Sequence, residues 1–132
     1  SRKDKFSKIQ RLFGYIHPSG ITPEGLCFEA IMDKLVPSSK DRDSYFLNFS
    51  DGQPYFSNSD IDYRGHGASI HTKKMVDKIR EKGISVLSYF IKDSYGSSYG
   101  DFTTMYGKDA KDIDVTNVMS VAKTMNDRFL QK

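Results

Sequence analysis

The chain has 132 residues, 37% hydrophobic and 28% charged, and a formal charge of +3 from 20 Lys and Arg against 17 Asp and Glu. That length suits one modest domain and is too short for two with good cores, and so small a positive charge does not mark a nucleic-acid binder. The lone Cys27 supports neither a disulfide framework nor a sulfur-rich metal site, and no stretch approaches the roughly 18 apolar residues of a membrane span, so a cytoplasmic protein is expected.

The opening Ser1-Arg2-Lys3, without an initiator methionine, suits a piece of something longer. Phe6, Ile9, Leu12 or Phe13, and Ile16 then recur at helical spacing, with Lys3, Lys5, Lys8 and Arg11 on the other face. His17-Pro18-Ser19-Gly20 breaks that pattern. A second helix is expected from Thr22 as its cap, with Pro23 in the first helical position and Glu24 near the positive end of the dipole. Cys27, Ile31 and Leu35, with Leu26 and Ala30 beside them, form its expected apolar face, which buries Cys27 as a small hydrophobe. The helix is expected to end near Pro37.

After a polar linker at 38–43, residues 45–49 read as a strand whose apolar density predicts burial on both faces, with Asn48 as the one interruption. Gly52, Pro54 and the polar segment 57–67 predict a long loop. Ile70, Met75, Val76 and Ile79 predict the next helix, closed by Lys82 and Gly83. Residues 84–91, ISVLSYFI, predict a second strand, and helix between strands implies a right-handed crossover and a parallel pair. The glycine-, serine- and tyrosine-rich stretch 92–101 reads as loop. Residues 102–107 predict a brief helical turn leading to an edge strand near 109–114, with Ile113 facing inward. Asp114 would cap a last helix with Val118, Val121, Ala122, Met125 and Phe129 on one side. Two firm strands and a third with four helices make a thin sheet, which points to a missing half supplied by upstream sequence or another chain.

Asp51 closes the first strand and Thr22 precedes a helix that packs beside it, so both are expected on one rim at the carboxyl end of a parallel sheet. A carboxylate and a hydroxyl are hard oxygen ligands of the kind Mg²⁺ accepts. The bland alternative leaves Thr22 as a cap and Asp51 as the opening of a turn with Gly52.

Thr22-Pro23-Glu24-Gly25, an aliphatic strand ending Ser50-Asp51-Gly52, and Met105-Tyr106-Gly107 before a final amphipathic helix together resemble the C-terminal half of a von Willebrand factor A (VWA) domain. Across residues 9–131 the chain is most similar to the bacterial CobT-type cobaltochelatase subunits and NorD-type proteins. The resemblance implies a three-layer, Rossmann-like α/β fold with a mostly parallel sheet, of which this chain is the C-terminal portion. It implies that Thr22 and Asp51 match two positions of the metal-ion-dependent adhesion site and hold Mg²⁺. It further implies a protein partner of the MoxR-like AAA+ ATPase kind, in an adaptor or chelatase setting. The family's first metal motif, Asp-x-Ser-x-Ser, is missing, because Asp93-Ser94-Tyr95-Gly96-Ser97 comes too late in the order.

The function expected on these grounds is a divalent-cation-assisted protein interaction module and not an enzyme. Ser50, Gly52 and Gln53 on the rim, with Tyr95 and Tyr99 in the glycine-rich segment, are the expected partner contacts. A metal-free structural or oligomerisation domain is the first alternative. A metal-dependent hydrolase using His66 with Asp60 and Asp62 is the second, although their spacing matches neither His-Glu-x-x-His nor a zinc finger.

Overall fold

The computed structural model describes residues 21–91 and 99–113, together with Lys123, Asn126 and Asp127. The expected helices on Phe6, Ile9 and Ile16 and on Val118, Val121 and Phe129 lie outside the described residues, as does Tyr95.

Helix α1 runs over Glu24–Ile31 and is followed by a 3-10 turn at Met32–Lys34. Pro23 is its N-cap, not its first helical residue, and the Pro23 carbonyl accepts the Cys27 amide at 2.9 Å. The Thr22 side chain does not cap this helix. The buried positions are Gly25 and Phe28, continued by partly buried Met32 and Leu35, whereas Cys27, Ala30 and Ile31 are exposed. The expected apolar face is therefore out of phase by one residue. Phe28 sets the phase, because its ring meets Phe46 edge-on at 4.9 Å and brings more apolar area to the sheet than Cys27 would.

Strand β1, Tyr45–Ser50, leads into a loop that contains a small antiparallel pair, β2 (Phe56–Ser57) and β3 (Asp62–Tyr63). Helix α2 spans Gly65–Glu81 and so takes in His66 and Gly67, which sequence assigned to the loop. Its inward face is Ala68, Thr72, Met75, Val76 and Ile79; Ile70, expected on that face, is 45% exposed. At about 100° per residue, position 70 lies some 200° from positions 68 and 72, on the solvent side. The helix closes through the Gly83 amide on the Arg80 carbonyl at 2.8 Å, with Gly83 at φ 74°, the left-handed conformation that glycine adopts without a Cβ penalty.

Strand β4, Ser85–Ile91, pairs in parallel with β1 from Tyr45↔Ser85 to Ser50↔Phe90. Helix α3, Tyr99–Tyr106, starts inside the expected loop, and a 3-10 turn leads into β5, Ala110–Ile113, parallel to β4 with Ala110 and Ile113 buried. The sheet order is β1-β4-β5. Phe46, Val86, Phe90 and Ala110 face one way and join Phe28, Met75, Val76, Ile79, Phe102 and Met105 in one core, so the three described α-helices cover the same sheet face, while Tyr89 and Ile113 are buried on the other. On the other face Leu47 and Phe49 are 37% and 42% exposed, which corrects the expectation that β1 is buried on both sides. The chain thus forms a small α/β domain with a parallel three-stranded sheet flanked by helices, a generic Rossmann-like arrangement.

Candidate functional site

The carboxyl end of β1 is where the polar side chains gather. Gly52 donates its amide to Ser50 Oγ at 2.9 Å, and Gln53 donates its amide to Asp51 Oδ1 at 3.1 Å. These are side-chain-closed turns, which is what serine and aspartate do when a strand stops at glycine. Thr22 Oγ1 donates to the Gln53 carbonyl at 2.9 Å, and the backbones of Thr22 and Tyr55 exchange hydrogen bonds of 2.9 and 3.0 Å. Thr22 and Asp51 therefore hold the two polar backbone groups of one residue, Gln53, at the same rim.

Behind that loop sits a carboxylate that sequence assigned only to the first turn of a helix. Glu24 Oε2 accepts a hydrogen bond from Tyr106 Oη at 2.7 Å, and Tyr106 Oη accepts one from Asn48 Nδ2 at 2.8 Å. Burial pushes the Glu24 carboxyl above its ordinary value; hydrogen bonds from Ser50 and Tyr106 oppose that, and the charge of Asp51 adds to it. Tyr106 is fully buried, and burial together with the neighbouring Glu24 charge drives its phenol far above the usual range, so it acts as a neutral donor. Side chains from α1, α3 and β1 thus meet around a single acid.

A second polar knot joins α1 to α2. Tyr63 Oη lies 3.1 Å from the Ala68 carbonyl, 3.0 Å from His71 Nδ1 and 3.1 Å from Thr72 Oγ1. His71 Nε2 is 3.6 Å from Glu29 Oε2. Burial raises the Tyr63 phenol, the reverse of what a nucleophile or base needs. The knot holds two helices together where Gly25 lets them touch.

The rim also carries a cavity of about 210 Å³ lined by Gly52, Gln53, Tyr55, Arg64, Ser69 and Asp101. Tyr99, at the start of α3, packs its ring 5.2 Å from Phe90 and is 43% exposed. His66 lies in the exposed first turn of α2, and Asp62 pairs with Arg64 at 2.9 Å. Asp60 donates its amide to Asn58 Oδ1 at 2.9 Å as part of a turn. Among the described residues no three His, Cys, Asp or Glu side chains stand close enough to hold a metal ion. Thr22 and Asp51 contribute two oxygen donors already engaged with Gln53, against the six positions that Mg²⁺ fills. The residues present do not by themselves fit the ion.

Fold and rim together define a small α/β domain whose loop after β1 is locked by its own side chains. No protein-family model matches this chain, and no curated protein or solved structure matches it.

Proposed function

We propose that this domain is a metal-free structural and oligomerising module that works through the outer edge of β1. The supporting observation is that, among the described residues, β1 is paired on one side only while Leu47 and Phe49 stand exposed on its outer face. Residues 45–50 carry no charge, proline or bulge, the devices that usually blunt an edge strand. The rim supports the same reading, since Thr22 and Asp51 both act on Gln53 as locks of a turn.

The test is Leu47→Lys, which places a charge on the exposed outer face and leaves the stack of Phe49 on the buried Tyr89 in place. A module of this kind loses its self-association or partner binding in sedimentation while keeping its thermal midpoint within a few degrees. Unchanged association sinks the reading.

A second reading, the C-terminal portion of a VWA-like domain that recruits a MoxR-like AAA+ ATPase with help from Mg²⁺, has one observation in its favour. Thr22 and Asp51 converge on the same residue at the carboxyl end of a parallel sheet. Under this reading Ser50, Gly52 and Gln53 form the contact surface around the ion, and a further strand beside β1 supplies the missing ligands. Saturable Mg²⁺ binding by calorimetry, lost in Asp51→Ala, supports it; a flat titration of the complete protein removes it.

A further inference from the structure

We propose that Asp51-Gly52 is a spontaneous isoaspartate site and that Ser50 is the residue that keeps it as aspartate. It is the one Asp-Gly or Asn-Gly step in the chain, and a glycine after the carboxylate leaves its own nitrogen least shielded. In the reaction the Gly52 nitrogen attacks Asp51 Cγ and closes a five-membered imide, while the amide proton and a carboxyl hydroxyl leave together as water. Water then opens the ring at either carbonyl. One opening returns aspartate, and the other leaves isoaspartate, whose main chain runs through the former side chain and is longer by one methylene.

A bulkier residue at position 52 would slow the attack, but the turn does not allow one. Gly52 stands at φ 79°, in the left-handed region that side chains disfavour, where the chain leaves β1 for the bridge between Tyr55 and Thr22. The shield is therefore the residue before the aspartate. The Ser50 hydroxyl gives its proton to the Glu24 carboxylate, so its oxygen is left to accept, and it accepts the Gly52 amide at 2.9 Å. Ser50 and Gly52 are both buried, which keeps away the base that must take the amide proton. Asp51 Oδ1 accepts the Gln53 amide at 3.1 Å, so the carboxylate too must let go before it can turn to the Gly52 nitrogen.

Conversion removes the lock it starts from. The isoaspartate carboxylate sits directly on Cα, and the longer main chain displaces Gln53, whose amide and carbonyl are the groups that Asp51 and Thr22 hold. Gly52 and Gln53 line the rim cavity, so its wall changes as the molecule ages. The damage stays local, because the ladder between β1 and β4 ends at Ser50↔Phe90, before the altered bond.

The experiment ages the protein for weeks at body temperature and neutral pH, and follows position 51 by peptide mapping with enzymatic methylation of isoaspartate. The parent should convert about tenfold or more slowly than a free peptide of residues 46–56, since the reaction waits for local opening. Ser50→Ala should convert about fivefold faster than the parent, the rise in open fraction expected for one lost hydrogen bond. Ser50→Thr keeps a hydroxyl and should return to the parent rate. Ile79→Val loosens the core about 20 Å along α2 from Gly65, so it controls for general unfolding and should also convert at the parent rate. A parent as fast as the peptide has no shield. Ser50→Ala at the parent rate, or Ser50→Thr or Ile79→Val as fast as Ser50→Ala, overturns the role of Ser50. In the converted fraction, separated by ion exchange, the Gln53 amide should exchange faster with solvent; unchanged exchange overturns the unlocking.

Discussion

Tyr106 and Glu24, 82 residues apart, are joined by a 2.7 Å hydrogen bond that ties the end of α3 to the start of α1. Because Asn48 donates to the same phenol, the bond also fixes both helices on β1. Removing the hydroxyl in Tyr106→Phe leaves a buried carboxylate and a half-buried amide without it, for a loss of roughly 2 to 4 kcal/mol in chemical denaturation. It also takes away one of the bonds that hold the Glu24 carboxyl down. In an NMR titration Glu24 of this variant should therefore ionise at a higher pH than in the parent protein.

The Glu24 shift has a definite pH signature. A carboxyl whose folded value is raised above the unfolded one, about 4.3 for Glu, binds its proton more tightly when folded. Its contribution is fully present below that unfolded value and is lost as pH rises through the folded one. Glu24→Gln keeps an acceptor for Tyr106 and removes the titration. The difference in stability between parent and variant should favour the parent at acid pH and shrink or reverse toward neutrality. A difference that is flat with pH means Glu24 does not titrate differently on folding.

Gly25 is a matter of space. A Cβ there would stand 2.3 Å from Tyr63 Oη, 2.8 Å from His71 Nδ1 and 2.9 Å from the Thr72 Cα. The tyrosine tip can move, but the Thr72 backbone cannot without shifting α2. Gly25→Ala should cost about 1 to 3 kcal/mol despite alanine's better helix propensity, and should break the Tyr63 to His71 hydrogen bond. A gain in thermal midpoint would mean that α1 and α2 do not approach this closely.

The strands and the parallel order are legible in residues such as ISVLSYFI, because a dense apolar run followed by a helical period leaves few arrangements. The phase of α1 is less so. Cys27, Ile31 and Leu35 and the rival set Phe28, Met32 and Leu35 both fit a helical period, and only Phe46 across the interface decides for the second. The rim is legible as a place, from Asp51 and Gly52 at a strand end, but not as a network. Glu24 and Tyr106 are brought together by tertiary packing alone, and the one local signal is Asn48, a polar residue in an apolar run whose amide needs a buried partner.

Thr22 and Asp51 separate the two functional readings by stability. As turn locks they act without an ion, so Thr22→Val and Asp51→Ala should each lower stability by about 0.5 to 1.5 kcal/mol, by the same amount with and without millimolar Mg²⁺. As ligands they would make the parent protein, and neither variant, more stable as Mg²⁺ is added. Thermal melts across a Mg²⁺ series decide between them.

Ser88 lies on the central strand opposite Asn48, is fully buried, and its hydroxyl has no hydrogen-bond partner among the described residues. A buried hydroxyl without a partner carries a desolvation penalty of about 1 to 3 kcal/mol that alanine does not. Alanine gives back only the small contact energy of one oxygen. Ser88→Ala should therefore be stabilising by about 1 kcal/mol, visible as a higher denaturation midpoint with an unchanged slope. Threonine, which keeps the hydroxyl and adds a methyl to a packed core, should be destabilising. If alanine destabilises instead, the Ser88 hydroxyl has a partner in solution, and Asn48, its neighbour across the strands, is the first residue to test by a double-mutant cycle.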